Sequence, residues 1–410
     1  MKVKIVSLIS LIVALAAACT PLATPTPTPT RVPRPTVTPL NSVAPAAGPA
    51  LGTPLPESPL ATPAAQLPAP ASPLATPSSS SSGSTGAART LTVLTYEAFA
   101  LSDKVLQQFE TDNNVNVKFI KESDAGPALA RAILTKNSPE ADVLFGVDNT
   151  LMGRALDAGI LEQYRSGALL YIPKDYQLDP NYYLTPIDYG DVCLNYDKAY
   201  FAQKNLQPPQ SLDDLTKPQY KNLLVVENPA GSSPGLAFML ATISHFGADQ
   251  WLDYWKQLKA NGMKVVEDWT TAYYTEFSGS SGKGSRPIVV SYASSPPAEV
   301  VSANPPVNVA PTAAVTAPET CFRQIEFAGI LKGTQNRDLA QKWIDFMLNL
   351  AYQEDLPLND YVYPVNPQAQ LPPVFTQWSS IAKQPANLAP DVIAKNRDRW
   401  IEEWTNQVLR

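Results

Sequence analysis

Leu91-Thr92-Val93-Leu94-Thr95-Tyr96 opens the stretch that decides the fold. It reads as a strand. Ser102 to Asn113 carries Val105 and Phe109 at helical spacing, with Ser102 placed to cap it. Val115 to Ile120 alternates as a second strand, Gly126 to Lys136 reads as a helix, and Ala141 to Val147 as a third, buried strand. Strands alternating with helices predict an α/β fold on a mostly parallel sheet, where ligands bind outside the carboxyl ends of the strands. Three polar stretches fall at those ends: Tyr96-Glu97-Ala98-Phe99, Glu122-Ser123-Asp124-Ala125 and Asp148-Asn149. Asp124 and Asp148 are therefore candidate acceptors for a cationic or amino-bearing ligand. A single carboxylate at such a place more often caps a helix; three loops converging on one sheet edge strengthen the binding reading.

Further on, the apolar run Leu223 to Val226 reads as a strand, and Leu236 to Ile243 as a helix. Between them lies Glu227-Asn228-Pro229-Ala230-Gly231-Ser232-Ser233-Pro234-Gly235. Ser233 is placed as the helix cap and Pro234 as the first helical residue. Backbone N–H groups and two hydroxyls then converge on one point, which suits a phosphate or carboxylate. An ordinary capped helix gives the same pattern. Gly231-x-Ser233-x-Gly235 also matches the nucleophile elbow of serine hydrolases. Chemistry rejects that match. The elbow needs the N–H of the residue after the serine, and Pro234 has none. The sole histidine, His245, lies about three helical turns further on.

Residues 1–19 read as a signal segment: Lys2 and Lys4 precede an apolar run that ends Leu15-Ala16-Ala17-Ala18-Cys19. The ending resembles a bacterial lipobox, although Leu15 stands four residues before Cys19 rather than three. It implies lipidation of Cys19 and a membrane tether; a plain cleaved signal is the alternative. Residues 20–88 are rich in Pro, Thr, Ser and Ala and contain no aromatic side chain, so they cannot bury a core. As extended chain at roughly 3 Å per residue they would reach on the order of 100–200 Å. The folded part begins at about Arg89. Its length exceeds what one core usually serves, so two lobes are expected. A net charge of −6 without a long basic run argues against nucleic acid as a partner. With Cys19 set aside, Cys193 and Cys321 remain as an even pair, open to a disulfide or to two buried thiols.

From Tyr183 to Lys198 the chain carries Pro186-x-Asp188-Tyr189-Gly190 and then Asn195-Tyr196-Asp197-Lys198. This resembles the crossing strand of bacterial ABC-transporter solute-binding proteins, and within them the thiamine-binding periplasmic family. Other stretches match in order: Leu94-Thr95-Tyr96-x-x-Phe99, Gly146-x-Asp148-Asn149, Pro208-Pro209-Gln210-Ser211-Leu212, Ser232-Ser233-Pro234-Gly235, Trp269-x-x-Ala272-Tyr273, Ser291-Tyr292-x-x-Ser295-Pro296, Tyr363-Pro364-Val365 and Trp400-Ile401-x-Glu403-Trp404. The resemblance covers residues 90–410.

It implies a two-lobed, type II periplasmic-binding-protein fold, with ligand held in a cleft between lobes joined by crossing strands. Residues 89–190 would begin lobe one, 191–326 would form lobe two, and 327–410 would return with the terminal helices. Cys193 and Cys321 would both lie near the crossing strands. The implied function is capture of thiamine or its phosphates by a lipid-anchored, extracytoplasmic, monomeric receptor that delivers to an ABC permease, with no cofactor, metal or catalysed reaction. A ferric-ion or polyamine (spermidine or putrescine) receptor is the alternative, with Tyr273-Tyr274 as a possible iron pair. The implied binding residues are Tyr96, Asp124, Ala125, Asp148, Ser232, Ser233, Trp269, Tyr292, Ser295 and Tyr361. The chain departs from the family in three places. No Trp follows Phe99 in Leu101-Ser102-Asp103-Lys104, Ala298 replaces an aromatic residue, and Tyr361 replaces a Trp. Tyr273, Tyr274 or Phe99 could rebuild the cage. The Pro-, Val- and Ala-rich segment Ser302 to Thr320 has no assigned element.

Overall fold

The computed structural model describes residues 88–280 and 284–410. The signal segment, Cys19 and nearly all of the proposed tether lie outside the described residues. The alternating pattern at the start folds as read, with ends shifted by one or two residues. It gives β1 (Arg89–Tyr96), α1 (Asp103–Asn113), β2 (Val115–Glu122), α2 (Ala125–Leu134), β3 (Val143–Asp148), α3 (Met152–Asp157), β4 (Leu161–Glu162) and the long β5 (Thr185–Asp197). Ser102 caps α1 by accepting the Val105 N–H at 3.3 Å, and Asn114 ends the helix in the left-handed region at φ 48°. Val105 and Phe109 are the buried face of α1. Phe109 meets Trp343 edge to face at 4.8 Å, which fixes the helix against the return segment.

The chain continues with α4 (Lys198–Gln203), β6 (Leu224–Glu227), α5 (Ser233–Phe246), α6 (Trp251–Ala260), β7 (Lys264–Val266), β8 (Ile288–Tyr292), α7 (Pro296–Val301), β9 (Thr312–Val315) and β10 (Phe322–Leu331). The return segment adds α8 (Arg337–Met347), α9 (Leu350–Gln353), α10 (Leu356–Asn359), β11 (Tyr363–Pro364), α11 (Pro373–Trp378) and α12 (Pro390–Val408).

One sheet runs through the fold in the order β2-β1-β3-β10-β5-β8-β6-β7, with β4 on β10 and both β9 and β11 on β5. The first lobe is the parallel set β2-β1-β3, and the second is β8-β6-β7. β10 and β5 run antiparallel between them and serve both, so they are the crossing strands. The segment left unassigned in the sequence supplies β9, which pairs Thr312–Val315 with Asp197–Leu194. Cys193 and Cys321 are joined, with an S–S distance of 2.05 Å, and tie β5 to the start of β10. Beside them Arg323 forks onto Asp191, Nε to Oδ1 at 2.8 Å and Nη2 to Oδ2 at 2.9 Å.

Apolar faces are buried on both sides of the sheet. One core holds Leu91, Val93, Phe109, Phe145, Trp343 and Tyr352. The larger one holds Leu129, Phe238, Met239, Trp255, Phe327 and Trp404. Burying one such side chain is worth about 1.5–3 kcal/mol. The terminal helix α12 belongs to this second core and touches both lobes. Its Trp404 meets Trp255 of α6 at 5.3 Å, and its Ala394 lies against Gly153 of α3.

Candidate functional site: the cleft between the lobes

β1, β2 and β3 end side by side, because Tyr96 pairs with Glu122 and Val93 and Leu94 pair with Val143 and Leu144. The loops that follow bring Tyr96, Asp124 and Asp148 to one edge. From the other lobe, β6 ends at Glu227 and the chain turns into α5. The helix cap is Ser232 rather than Ser233. Its Oγ accepts the Gly235 N–H at 3.4 Å, while Ser233 is the first helical residue and Pro234 the second. Pro234 occupies a first-turn position in either register, so the sequence could not separate two adjacent serines.

The two edges meet at Asp124. Its Oδ1 caps α2 by accepting the Ala125 N–H at 2.8 Å, and accepts the Ser233 N–H of the other lobe at 3.0 Å. The helix-cap reading holds, and the same oxygen also reaches across to the other lobe. Ser232 and Ser233 are buried. Burial pushes the Asp124 carboxyl up to about 6, against hydrogen bonds from Ser233, Ser232, Ala125 and the Trp269 backbone. The backbones approach closely here. A Cβ on Gly126 would lie 2.3 Å from the Gly231 carbonyl oxygen.

Aromatic residues of the second lobe continue the wall. Trp269 stacks on Tyr273 at 5.0 Å and meets Tyr292 at 6.5 Å. Its Nε1 donates to Ser291 Oγ at 3.0 Å, which lies 2.9 Å from Ser295 Oγ. The Tyr292 hydroxyl donates to Gln324 Oε1 at 2.8 Å, and Gln324 Nε2 donates to Asp148 Oδ2. Asp148 Oδ1 accepts from Thr150 Oγ1 at 2.6 Å and from the Leu151 N–H at 3.0 Å, and burial pushes this carboxyl up to about 6. On the first-lobe side the Tyr96 hydroxyl lies 2.9 Å from Glu326 and 3.2 Å from Asp360. Tyr361 follows Asp360 with φ 57°.

Of the residues singled out in the sequence, Asp124, Ala125, Ser232 and Ser233 form one contact, and Trp269, Tyr292, Ser295 and Asp148 form a connected chain beside it. Tyr96 joins through Glu326, the strand neighbour of Asp148. Phe99 does not rebuild a cage; it is core, packed on Phe145 and Phe119. Four acidic or amide side chains were not singled out: Asp188, Gln324, Glu326 and Asp360. Asp188 sits inside a quoted motif, and Gln324-x-Glu326 has the period that puts both side chains on one strand face. Those were the available signals. Glu227 was also missed as a buried acid. It is fully buried beneath the start of α5, and burial holds its carboxyl well above the usual range.

Comparison with known proteins gives a consistent result. The family profile described as bacterial extracellular solute-binding protein matches residues 138–379. The thiamine-binding periplasmic protein of Salmonella typhimurium is 30% identical over 333 residues, which is 79% of this chain and 95% of that protein. Its Escherichia coli namesake is 29% identical over 329 residues, with 79% and 95% covered. A solved periplasmic thiamin binding protein superposes with a TM-score of 0.68 at 29% identity, covering 79% of this chain and 97% of its own. The ferric binding protein from Campylobacter jejuni superposes at 0.63 with 18% identity, covering 77% and 99%, a likeness of fold alone. With its crossing strands and interlobe cleft, the chain belongs to the bacterial extracellular solute-binding proteins, a family of transport receptors rather than enzymes.

Proposed function

We propose that this receptor carries thiamine or thiamine phosphates. It closes its lobes around the cargo and hands it to an ABC permease, acting as a monomer held to the membrane by a lipid on Cys19. One observation carries the choice of cargo. Tyr292, in the aromatic wall, lies in the field of four carboxyl groups, Glu326, Asp124, Asp148 and Asp188. A cleft that is both acidic and aromatic suits a flat organic cation. A cation over an aromatic face gains about 0.5–2 kcal/mol once water is excluded. Trp269, Tyr292 and Tyr96 supply the faces. Ser232 and Ser233 at the start of α5 suit a hydroxyl tail, and a phosphate tail would have to take the place that Asp124 holds there. The relatives named for thiamine support the same choice. Ligand that touches both lobes only when they are closed draws the equilibrium toward closure.

A polyamine would also satisfy the acids, and it stays as the second reading. The iron pair is not presented: Tyr273 is 1% exposed and Tyr274 38%, so they do not face one way. Among the described residues no group of three or more His, Cys, Asp or Glu side chains is arranged to hold a metal. The test is a thermal-shift series on ligand-free protein with thiamine, its mono- and diphosphate, spermidine and Fe³⁺. Cargo at 100 times its Kd adds about 2.7 kcal/mol, which raises the melting point by a few degrees. A shift with spermidine or Fe³⁺ and none with thiamine compounds would sink the thiamine reading.

A further inference from the structure

We propose that Asp188 and Glu326, linked to Tyr96, are the acceptor for the positively charged part of the cargo, and that the cation enters in exchange for a proton. This rests on the reading of the cargo as an organic cation. Asp188 and Glu326 stand directly opposite each other on β5 and β10, and Asp148 stands opposite Glu326 on β3. Directly opposed residues share one sheet face, with Cβ atoms about 4.5–5.5 Å apart. Asp188 is wholly buried, and as a carboxylate neither of its oxygens has a hydrogen-bond donor. Glu326 is 5% exposed and accepts from the Tyr96 hydroxyl. Two facing carboxylates repel; one proton between them turns the repulsion into a hydrogen bond.

The surroundings favour that proton. Burial first, and then the charge of Asp360, hold Asp188 well above the usual carboxylate range. Burial, Asp188 and Asp360 do the same to Glu326, against the Tyr96 hydrogen bond. The groups facing the pair are Asp360 after α10, Tyr96 on β1, Asp148 on β3, Tyr292 on β8, Gln324 on β10 and Tyr352 on α9. None of these six is a cation. The pair is buried while Tyr96, Tyr292 and Asp360 around it are part-exposed, so the cation would reach it as the lobes part. An entering thiazolium or ammonium supplies the positive charge that the proton supplied. The O–H bond of the shared carboxyl breaks, its electron pair stays on oxygen, and the proton passes to water. The charge of the closed site is unchanged.

The experiment is calorimetric titration of the full chain with thiamine near neutral pH, in buffers of different ionisation heat. The slope of observed heat against buffer heat counts the protons released. The wild type is expected to release close to one proton per thiamine and to bind about tenfold tighter per pH unit of increase below the pair's titration. Asp188→Asn is expected to release close to none, and Glu326→Gln repeats the test should the first variant fold poorly. Thiamine binding to the wild type with no proton release overturns the acceptor and leaves the cargo reading intact. Should thiamine give no heat, the infrared spectrum of the ligand-free chain decides. A protonated-carboxyl band at neutral pH that both variants reduce upholds the acceptor while the thiamine reading falls. A band unchanged in both variants overturns the acceptor.

Discussion

The Asp124 carboxylate of the first lobe lies 3.0 Å from the backbone nitrogen of Ser233 in the second. The lobes therefore close onto a helix N-terminus that attracts negative charge, and the protein's own carboxylate is the group that occupies it. Burial between the docked lobes holds its carboxyl at about 6, above the ordinary 3.8. Parting the lobes would return it to water and let its carboxyl fall toward the ordinary value. A group held above its solvated value binds protons more tightly in the closed form, so it favours closure at low pH. That preference is complete below the lower value and is lost as pH rises through about 6; it amounts to on the order of 3 kcal/mol. Asp148 is also raised, but its partners Thr150 and Leu151 belong to its own lobe and Gln324 to a crossing strand. The ligand-free protein is therefore expected to shrink in X-ray scattering between about pH 7 and pH 4.5. Asp124→Asn should respond less. An equal response in the variant would show that Asp124 is not the titrating latch.

How much of this could be read beforehand depended on whether the information was local. Val105 and Phe109 at helical spacing, a cap at Ser102, and strands bounded by polar turns are written within a few residues of one another. Those elements are where the sequence puts them. The convergence of Tyr96, Asp124 and Asp148 followed from strand direction. The buried acids were different. Asp188 reads as one polar residue in a strand until β10 is known to lie beside it with Glu326 directly opposite. That pairing joins residues far apart in the chain, and no periodicity reports it. Asp124 likewise looked like a cap or a ligand contact. Only the docked lobes show it capping α2 of its own lobe and accepting from α5 of the other.

Trp269 is held by contacts that differ in kind: the Tyr273 stack, the Tyr274 and Tyr292 edges and the hydrogen bond to Ser291. It is part-exposed and packs against the small core of Ala272, Tyr273 and Phe277. Trp269→Ala is expected to weaken thiamine binding at least about tenfold, the loss of one desolvated cation–aromatic contact. The ligand-free melting point should move by only a few degrees. Calorimetry and a melt on the same sample check both halves, and unchanged affinity would remove Trp269 from the site.

The Cys193–Cys321 bond spans 128 residues and ties the two crossing strands together. Both cysteines are fully buried beside Ala293 and Ala382. Replacing both by Ala is expected to cost about 2–5 kcal/mol of stability, read by denaturant unfolding. Thiamine affinity should change less than the stability does, because the bond acts chiefly on the unfolded chain. A pair variant as stable as the wild type would show that the bond does not constrain the unfolded chain.

Gly126 and Gly231 give the sharpest separation of closure from folding. Gly126 lies in the first turn of α2, where Ala is the better helix former by about 1 kcal/mol. The isolated lobe should accept it, with a melting point equal to or above that of the wild type. In the closed form, however, the added Cβ would lie 2.3 Å from the Gly231 carbonyl oxygen, a backbone atom that cannot swing away. Gly126→Ala is therefore expected to leave folding intact and to weaken thiamine binding at least about tenfold, because closure and its cross-lobe contacts are lost. X-ray scattering with saturating thiamine should show an open particle. Gly231→Ala is the matched control. Its Cβ would meet nothing nearer than the Glu267 carbonyl oxygen at 3.8 Å, so it should close and bind as the wild type does. If Gly126→Ala binds and compacts normally, the lobes do not dock through this contact.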